Sequence, residues 1–278
     1  MDSAKPFVDL HVHTWYSDST LSPAMAVQAA SQNGVGLLAI ADHEGFQGSF
    51  EAKPLCEKAG IRFIPACETQ CMSESHVLYH ILCYAMDLTK GPLASMVSQN
   101  RRILDDMSVW LVEKMAKDYP QLSREEYELY SYDRSRGGWK GLGYLMEKGI
   151  TASLREGFPL YEKYGIRYDT AGFPALERTI EAIHLSGGRA VVAHSGHTLR
   201  KLESDDFKRE IYSLVECGLD GIECYYPLHS GEVTELLLNI CRSRELMITA
   251  GSDCHGDFGR TRVGQMDIDA SKIDLRGI

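Results

Sequence analysis

Two histidines near the start of the chain have the spacing of a metal-ligand pair. His11 and His13 stand in the segment Val8-Asp9-Leu10-His11-Val12-His13-Thr14, which has the character of a short apolar strand. In a β-strand, residues i and i+2 point to the same face, so the two imidazoles would project into one volume. Two neutral ring nitrogens there could hold one metal ion, although two ordinary surface histidines would show the same spacing.

Other histidines and carboxylates follow later apolar segments in the same way. Residues 35–40 lead to His43, and residues 61–67 lead to Glu68. The full set of candidate metal ligands is His11, His13, Asp18, His43, Glu68, His80, His194, Asp253 and His255. One ion takes roughly four to six ligands, so this set favours two or three ions that share a bridging carboxylate. Mixed imidazole and carboxylate ligands suit manganese, zinc or iron better than magnesium, which prefers oxygen.

The elements that must position these ligands are strands alternating with helices. About seven apolar segments have strand character, which predicts a parallel sheet of α/β type. Ligands at the ends of five or more strands favour a closed, TIM-like barrel with its site on that face, whereas an open sheet would concentrate them at one or two switch points. Residues 95–172 break the alternation and are polar and helical. We therefore predict a barrel domain formed by residues 1–94 and 173–278, with a helical insertion at 95–172.

Composition limits the class of protein. The 278 residues are 44% hydrophobic and 24% charged, as in a globular protein, and the net charge of −10 provides no broad basic surface for duplex nucleic acid. Neither an apolar run of about 18 residues nor a signal region is visible, so we expect a cytoplasmic protein without a membrane partner. The eight cysteines are scattered, which favours free thiols over disulfides.

As a set, the motifs resemble those of the PHP (polymerase and histidinol phosphatase) superfamily. The matching segments, in the family's order, are Asp9 to Thr14, Ala41-Asp42-His43, Glu68 after an Ile-Pro, Ala193-His194 and Gly251-Ser252-Asp253-Cys254-His255. The resemblance spans residues 7–94 and 173–265. The Tyr16-Ser17-Asp18 loop and the long insertion resemble the stand-alone phosphoesterase branch, which includes nucleoside 3′,5′-bisphosphate phosphatases and 5′→3′ exoribonucleases.

The resemblance implies a distorted (β/α)₇ barrel with a centre of three metal ions and an insertion that lines the substrate pocket. The ligand sets that it implies are His11, His13, Glu68 and Asp253 for the first ion, Glu68, His80 and His194 for the second, and Asp18, His43 and His255 for the third. Asp9 and Asp42 would orient imidazoles.

Two segments depart from the pattern of this branch. Ala193-His194-Ser195 stands where Ala-His-Pro is usual, and Arg136-Gly137-Gly138-Trp139-Lys140 stands where an Arg-Pro-His segment is common. Since the insertion lines the pocket in such enzymes, the second departure leaves the nucleotide substrate open.

Residues outside the ligand set have weaker assignments. An anionic substrate needs a cationic partner, and we predict Arg136, Lys140 and Arg260 for its phosphate, although each could be a solvated surface charge. His229, just beyond a strand, could act as a general acid or lie at the surface. Glu223 could support an imidazole from the middle of its strand.

These patterns predict a metal-dependent phosphoesterase that hydrolyses phosphate monoesters of nucleotides or oligonucleotide ends by attack of metal-activated hydroxide. A small phosphorylated substrate such as histidinol phosphate is the alternative within this chemistry. A hydrolase of C–N bonds commonly uses a bridging lysine, and no lysine ends a predicted strand. A non-catalytic metal-binding regulatory module would have lost ligands, and none is missing from the set.

Overall fold

The computed structural model describes residues 6–278, which form eight strands and ten α-helices. The strands are β1 (Phe7–Val12), β2 (Val35–Ile40), β3 (Arg62–Phe63), β4 (Ala66–Met72), β5 (Leu78–Tyr84), β6 (Arg189–Val192), β7 (Gly221–Tyr225) and β8 (Met247–Ala250). The helices are α1 (Pro23–Gln32), α2 (Gln47–Ala59), α3 (Pro92–Met115), α4 (Arg124–Leu129), α5 (Lys140–Glu147), α6 (Phe158–Lys163), α7 (Leu176–Leu185), α8 (Ser195–Thr198), α9 (Ser204–Glu216) and α10 (Gly231–Arg244). Residues 1–5, which the predicted barrel domain includes, lie outside the described residues.

The strands form two sheets. One has the order β1-β2-β3 and is parallel, and the other has the order β4-β5-β6-β7-β8. Single bridges connect the sheets, from His43 to Glu68 on one side and from Val12 to Cys254 on the other. The predicted α/β class is confirmed, but the described strands do not form the one continuous ladder of a closed barrel.

The pairing of β5 departs from the predicted parallel sheet. This strand is antiparallel to β4, because only a short loop separates the two and leaves no room for a crossover, and it is also antiparallel to β6. The predicted third strand is divided at Pro65, which has no N–H for a ladder bond, and gives β3 and β4. Glu68 therefore lies within a strand and not at its end.

The insertion has a hydrophobic cluster of its own. Its buried members include Leu104, Met107, Leu111, Leu142 and Tyr161. Helix α3 contributes to this cluster over most of its length, but its first turns pack against the sheet, where Leu93 and Val97 join the main core. The predicted boundary at residue 95 thus falls inside a helix shared by both parts.

Local signals set the helix boundaries near the site. Ser22 caps α1 by accepting the N–H of Met25, and Pro23 occupies the first turn. Gly60 ends α2 with a φ of 70°, a left-handed conformation that glycine adopts without strain. Within residues 6–278, no helix is both long and apolar enough to cross a membrane.

Candidate metal centre

The structure brings all nine predicted ligands together where the two sheets meet. His11 belongs to β1 and His13 follows it, while Glu68 and His80 project from β4 and β5. The imidazole rings are close neighbours: the centroids of His13 and His255 are 4.0 Å apart, and those of His80 and His194 are 5.1 Å apart. The alternation of side chains in β1 therefore delivers His11 and His13 to one volume, as their spacing predicts.

Glu68 lies at the centre of the cluster. Its Oε2 atom is 3.3 Å from Nε2 of both His11 and His13 and 3.0 Å from Nδ1 of His43. Its other oxygen is 3.0 Å from His80 Nδ1 and 3.1 Å from His194 Nε2. Burial opposes ionisation of Glu68, but the surrounding imidazoles outweigh it and hold its pKa well below the usual range. One carboxylate thus faces five ring nitrogens, three at one oxygen and two at the other, a position from which it could bridge two ions.

Three groups of ligand atoms have the compactness of metal sites. Within each group, one atom from every residue lies within 4.8 Å of the others. The groups are His11, His13, Glu68 and Asp253; His13, Asp18, His43 and His255; and His43, Glu68 and His80. The first matches the set implied by the family resemblance. The second adds His13 to its set, and the third contains His43 in place of His194.

Unpaired polar atoms show that these residues fit divalent ions. Buried atoms without a hydrogen-bond partner include Nε2 of His11 and His13, Nδ1 of His43, Oδ1 of Asp18 and Oε2 of Glu68. Burying such groups unpaired is unfavourable, and in this site all of them face a shared volume. A set of neutral imidazoles and ionised carboxylates is the donor chemistry of manganese, zinc or iron.

The predicted supporting carboxylates accept bonds from backbone N–H groups and side-chain hydroxyls. Asp42 accepts bonds from the N–H and hydroxyl of Thr14 and from the Ser17 hydroxyl, each at 2.7 Å. Asp9 accepts the N–H groups of Ser252 and Gly264 at 2.9 and 2.7 Å, and burial raises its pKa to about 6. These contacts fix the loops that bear Asp18 and Asp253. Asp9 and Asp42 were expected to orient imidazoles, but none of these contacts is to an imidazole nitrogen.

Glu223 supplies the contact to an imidazole. Its Oε1 lies 3.0 Å from Nδ1 of His11, and its Oε2 accepts the backbone N–H of His194 at 2.8 Å. His194 has a φ of 31°, in the left-handed region, so this hydrogen bond supports a backbone conformation that is unfavourable for a side chain with a Cβ.

The predicted general acid and the three predicted phosphate contacts lie in different places. His229 Nε2 accepts the N–H of Gly196 at 3.1 Å and Nδ1 lies 3.1 Å from the Cys224 carbonyl, so both ring nitrogens are engaged with the backbone. Arg136 points toward Met146, and Arg260 is exposed. Lys140, in contrast, lines a cleft beside the metal ligands.

This cleft has a volume of about 850 Å³ and is bordered by Ser17 and Glu44, the neighbours of Asp18 and His43. The insertion forms its opposite wall. There the Trp139 ring lies 5.9 Å from the His43 ring, and the Arg101 guanidinium lies 5.5 Å from the Trp139 ring. The positions of Trp139 and Glu44 beside the cleft were not predicted from sequence, since neither residue was assigned to the ligand pattern.

Comparison with known proteins identifies the family. Residues 9–246 match the family model of the PHP domain. The chain belongs to the PHP domain family. It is 27% identical over 253 residues to the 5′-3′ exoribonuclease Rnm of Escherichia coli, with 89% of this chain and 84% of that protein covered. It is 26% identical over 264 residues to the phosphoribosyl 1,2-cyclic phosphate 1,2-diphosphodiesterase of Eggerthella lenta, covering 91% and 95%.

A solved structure extends the similarity of this PHP protein to three dimensions. A protein from Bifidobacterium adolescentis, described as a metal-dependent phosphoesterase, superimposes with a TM-score of 0.77 at 26% identity. The match covers 94% of this chain and 91% of that protein. The relatives are hydrolases of phosphate esters, and the ligand clusters are those of a metal-dependent enzyme. This PHP protein is a metal-dependent phosphoesterase.

Proposed function

We propose that this PHP protein hydrolyses phosphate monoesters of nucleotides or of oligonucleotide ends. The observation that carries the proposal is the cleft beside the metal ligands, which combines aromatic and cationic side chains. Trp139 and Tyr132 border it together with Arg101 and Lys140. Aromatic faces on which bases stack, interleaved with cations for the phosphates, are typical of sites for single-stranded nucleic acid.

The metal ligands would hold two or three divalent ions, which we propose to be manganese, zinc or iron. Such ions supply Lewis acidity and lower the pKa of bound water from about 15.7 toward about 7. The nine side chains named above, His11 to His255, would hold them, with Glu68 as the bridging carboxylate. The division into the two sheets and an insertion gives each part a role, since the strands and the loops after them would carry the ligands and the insertion would carry the cleft wall.

The chain's own residues would bind and orient the ester. Lys140 and Arg101 would neutralise a terminal phosphate, because a charged donor strengthens a hydrogen bond to an anion. Trp139 would hold an aromatic base between the two parts of the protein. The cleft is at the upper end of the range for small-molecule pockets, about 300 to 1,000 Å³, so it has room for more than one nucleotide.

The position of the insertion favours strand ends over the middle of a strand. It stands opposite Ser17 and Glu44 and limits approach to the metal ligands from that side. The net charge of −10 also provides no broad surface for a polyanion. We therefore propose end-directed action with little stable binding of duplex nucleic acid.

The test compares a circular single strand with a linear strand of equal length and sequence. The protein is loaded with Mn²⁺, and released phosphate and released mononucleotides are measured separately. Free phosphate released from the end of the linear strand alone supports the proposal, release of mononucleotides would show cleavage of diesters instead of monoesters, and equal rates on both strands would contradict end-directed action. Histidinol phosphate, mononucleotides and nucleoside bisphosphates serve as parallel substrates.

A cyclic phosphate of a small sugar is the second candidate substrate. It is suggested by the Eggerthella lenta relative, whose name gives a phosphoribosyl cyclic phosphate as its substrate. The same assay separates the candidates, because opening a cyclic diester yields a monoester without releasing free phosphate. Turnover of the cyclic ester in the absence of any turnover of nucleotides would favour this second candidate.

A further inference from the structure

Glu44 is a buried carboxylate held by neutral donors. It follows His43, has a left-handed φ of 47° and is only 4% exposed. Its Oε1 accepts the N–H of Gln70 at 2.6 Å and Nδ2 of Asn100 at 3.2 Å, while Oε2 accepts the Thr69 hydroxyl at 2.8 Å. A buried carboxylate depends strongly on such bonds, so these contacts fix its position.

Asn100 belongs to the insertion and not to the sheets. It lies on α3 and is fully buried. Besides Glu44, its Nδ2 lies 3.1 Å from Thr69 Oγ1 and 2.9 Å from the carbonyl of Gln70. One amide group therefore connects the insertion to the turn after β2 and to strand β4 at the same time.

These contacts meet at the junction between the two sheets. The N–H of Glu44 binds the carbonyl of Glu68 at 3.0 Å, and the N–H of Glu68 binds the carbonyl of Asp42 at 3.2 Å. His43 and Glu68 form the isolated bridge at this junction. Two metal ligands thus sit where the sheets are joined by few backbone bonds, directly beside the Glu44–Asn100 contact.

We propose that Glu44 and Asn100 are a positioning pair that makes metal binding at His43 and Glu68 depend on the helical insertion. The inference rests on the metal-dependent function proposed above. Neither residue belongs to the ligand set of the centre. They act through the backbone of residues 42–44 and 68–70, which sets the distance between the His43 ring and the Glu68 carboxylate. Groups that orient metal ligands typically contribute about 10- to 100-fold to metal affinity.

The test titrates Mn²⁺ into the metal-free, full-length protein by calorimetry. Asn100→Ala and Glu44→Gln should weaken at least one binding event about 10- to 100-fold. Ser108→Ala is the matched control, because Ser108 is also a buried polar residue of α3 but bonds to Tyr161 inside the insertion. It should bind Mn²⁺ as the wild type does. Excess Mn²⁺ should restore the turnover of Asn100→Ala.

A charge-swapped pair, in which the amide and the carboxylate exchange positions, tests the contact between Asn100 and Glu44. Asn100→Asp places a carboxylate against Glu44 and should bind Mn²⁺ more weakly than Asn100→Ala. Adding Glu44→Gln to Asn100→Asp provides an amide donor again and should recover part of the affinity. If Asn100→Ala does not fold, Glu44→Gln and the charge-swapped pair carry the same test.

Unchanged Mn²⁺ affinity and stoichiometry in folded Asn100→Ala and Glu44→Gln would overturn the inference, even if their unfolding temperatures fall. Equal weakening by Ser108→Ala would overturn it as well, since any loosening of α3 would then have the same effect. Failure of the wild-type protein to bind Mn²⁺ would overturn the metal centre together with this inference. Binding of Mn²⁺ without hydrolysis of nucleotides would contradict only the proposed substrate.

Discussion

His11 and Glu223 form a fully buried contact in which Nδ1 of the imidazole lies 3.0 Å from Oε1 of the carboxylate. This contact sets the tautomer, since a proton on Nδ1 leaves Nε2 free to act as a ligand. That Nε2 atom faces Oε2 of Glu68 at 3.3 Å and Oδ1 of Asp253 at 3.4 Å. Because the other oxygen of Glu223 holds the backbone of His194, one carboxylate orients ligands from two strands.

We expect Glu223→Gln to lower metal affinity about 10- to 100-fold while the protein stays folded, because the amide keeps the shape but loses the charge that supports the His11 imidazole. Metal content after dialysis against a weak chelator measures the effect. Glu232→Gln is the control, since Glu232 is exposed at the start of α10. Wild-type metal retention by Glu223→Gln would show that the charge of Glu223 is not needed to support His11.

We expect Glu68→Gln to remove at least one ion and to lower turnover at least about 100-fold. An amide has one acceptor oxygen and no charge, so it cannot bridge two cations. Metal analysis and phosphate release measure the two losses, and circular dichroism verifies the fold. A variant with full metal content and near wild-type turnover would assign the bridge to a different residue.

The cleft cations give a prediction on substrate binding. Lys140→Ala should raise KM for phosphorylated substrates roughly 10- to 100-fold with little change in kcat, as expected when a charged hydrogen bond is lost equally from ground and transition states. Arg136→Ala is the matched control, because the Arg136 guanidinium lies 3.8 Å from Met146 Sδ and borders a different cavity. A larger rise for Arg136→Ala would move the phosphate site to that cavity.

Cys217 gives a prediction on pH. All eight cysteines lie in the described residues, and Cys217 is the one that is not fully buried. Burial and a hydrogen bond to Glu177 raise the pKa of its thiol to about 11. Alkylation by iodoacetamide should therefore accelerate about tenfold per pH unit from pH 8 to 10, since the thiolate is the nucleophile.

The carboxylate of Glu177 disfavours the Cys217 thiolate, so Glu177→Gln should lower the pKa and increase the alkylation rate at pH 8. Cys217→Ser identifies the modified site. An unchanged rate in Glu177→Gln at pH 8 would show that Glu177 does not contribute to the raised pKa of Cys217.

The clustering of the candidate ligands was predictable because their pattern is local. The two-residue period of a strand places His11 beside His13, and the other ligands follow or lie in short apolar segments. Glu44 and Asn100 were not predictable, since their contact joins residues 56 positions apart and Asn100 resembles any polar residue of a helix. The antiparallel pairing of β5 depends on loop length and on neighbours that periodicity does not reveal.

The two cations predicted for the substrate phosphate, Arg136 and Lys140, show a similar limit of prediction from sequence. Arg136 and Lys140 are four residues apart, but they border different cavities. Gly137 and Gly138 between them both have a φ of 69°, and Gly138 donates its N–H to the carbonyl of Asp18 at 2.7 Å. Two residues with positive φ in succession turn the chain away from a helical path, so the two side chains do not share the face that a helical spacing would give them.

Strands β5 and β6 pair directly, with Tyr84 opposite Arg189, although residues 85–188 lie between them. In topological terms, the whole insertion is the loop of a β-hairpin. Doubling the length of a flexible loop costs only about 0.6 kcal/mol in closure entropy, so the sheet tolerates very different segments at this point. Evolution could therefore exchange the wall of the proposed substrate cleft while retaining the candidate metal ligands, provided that the replacement again offers an amide to Glu44.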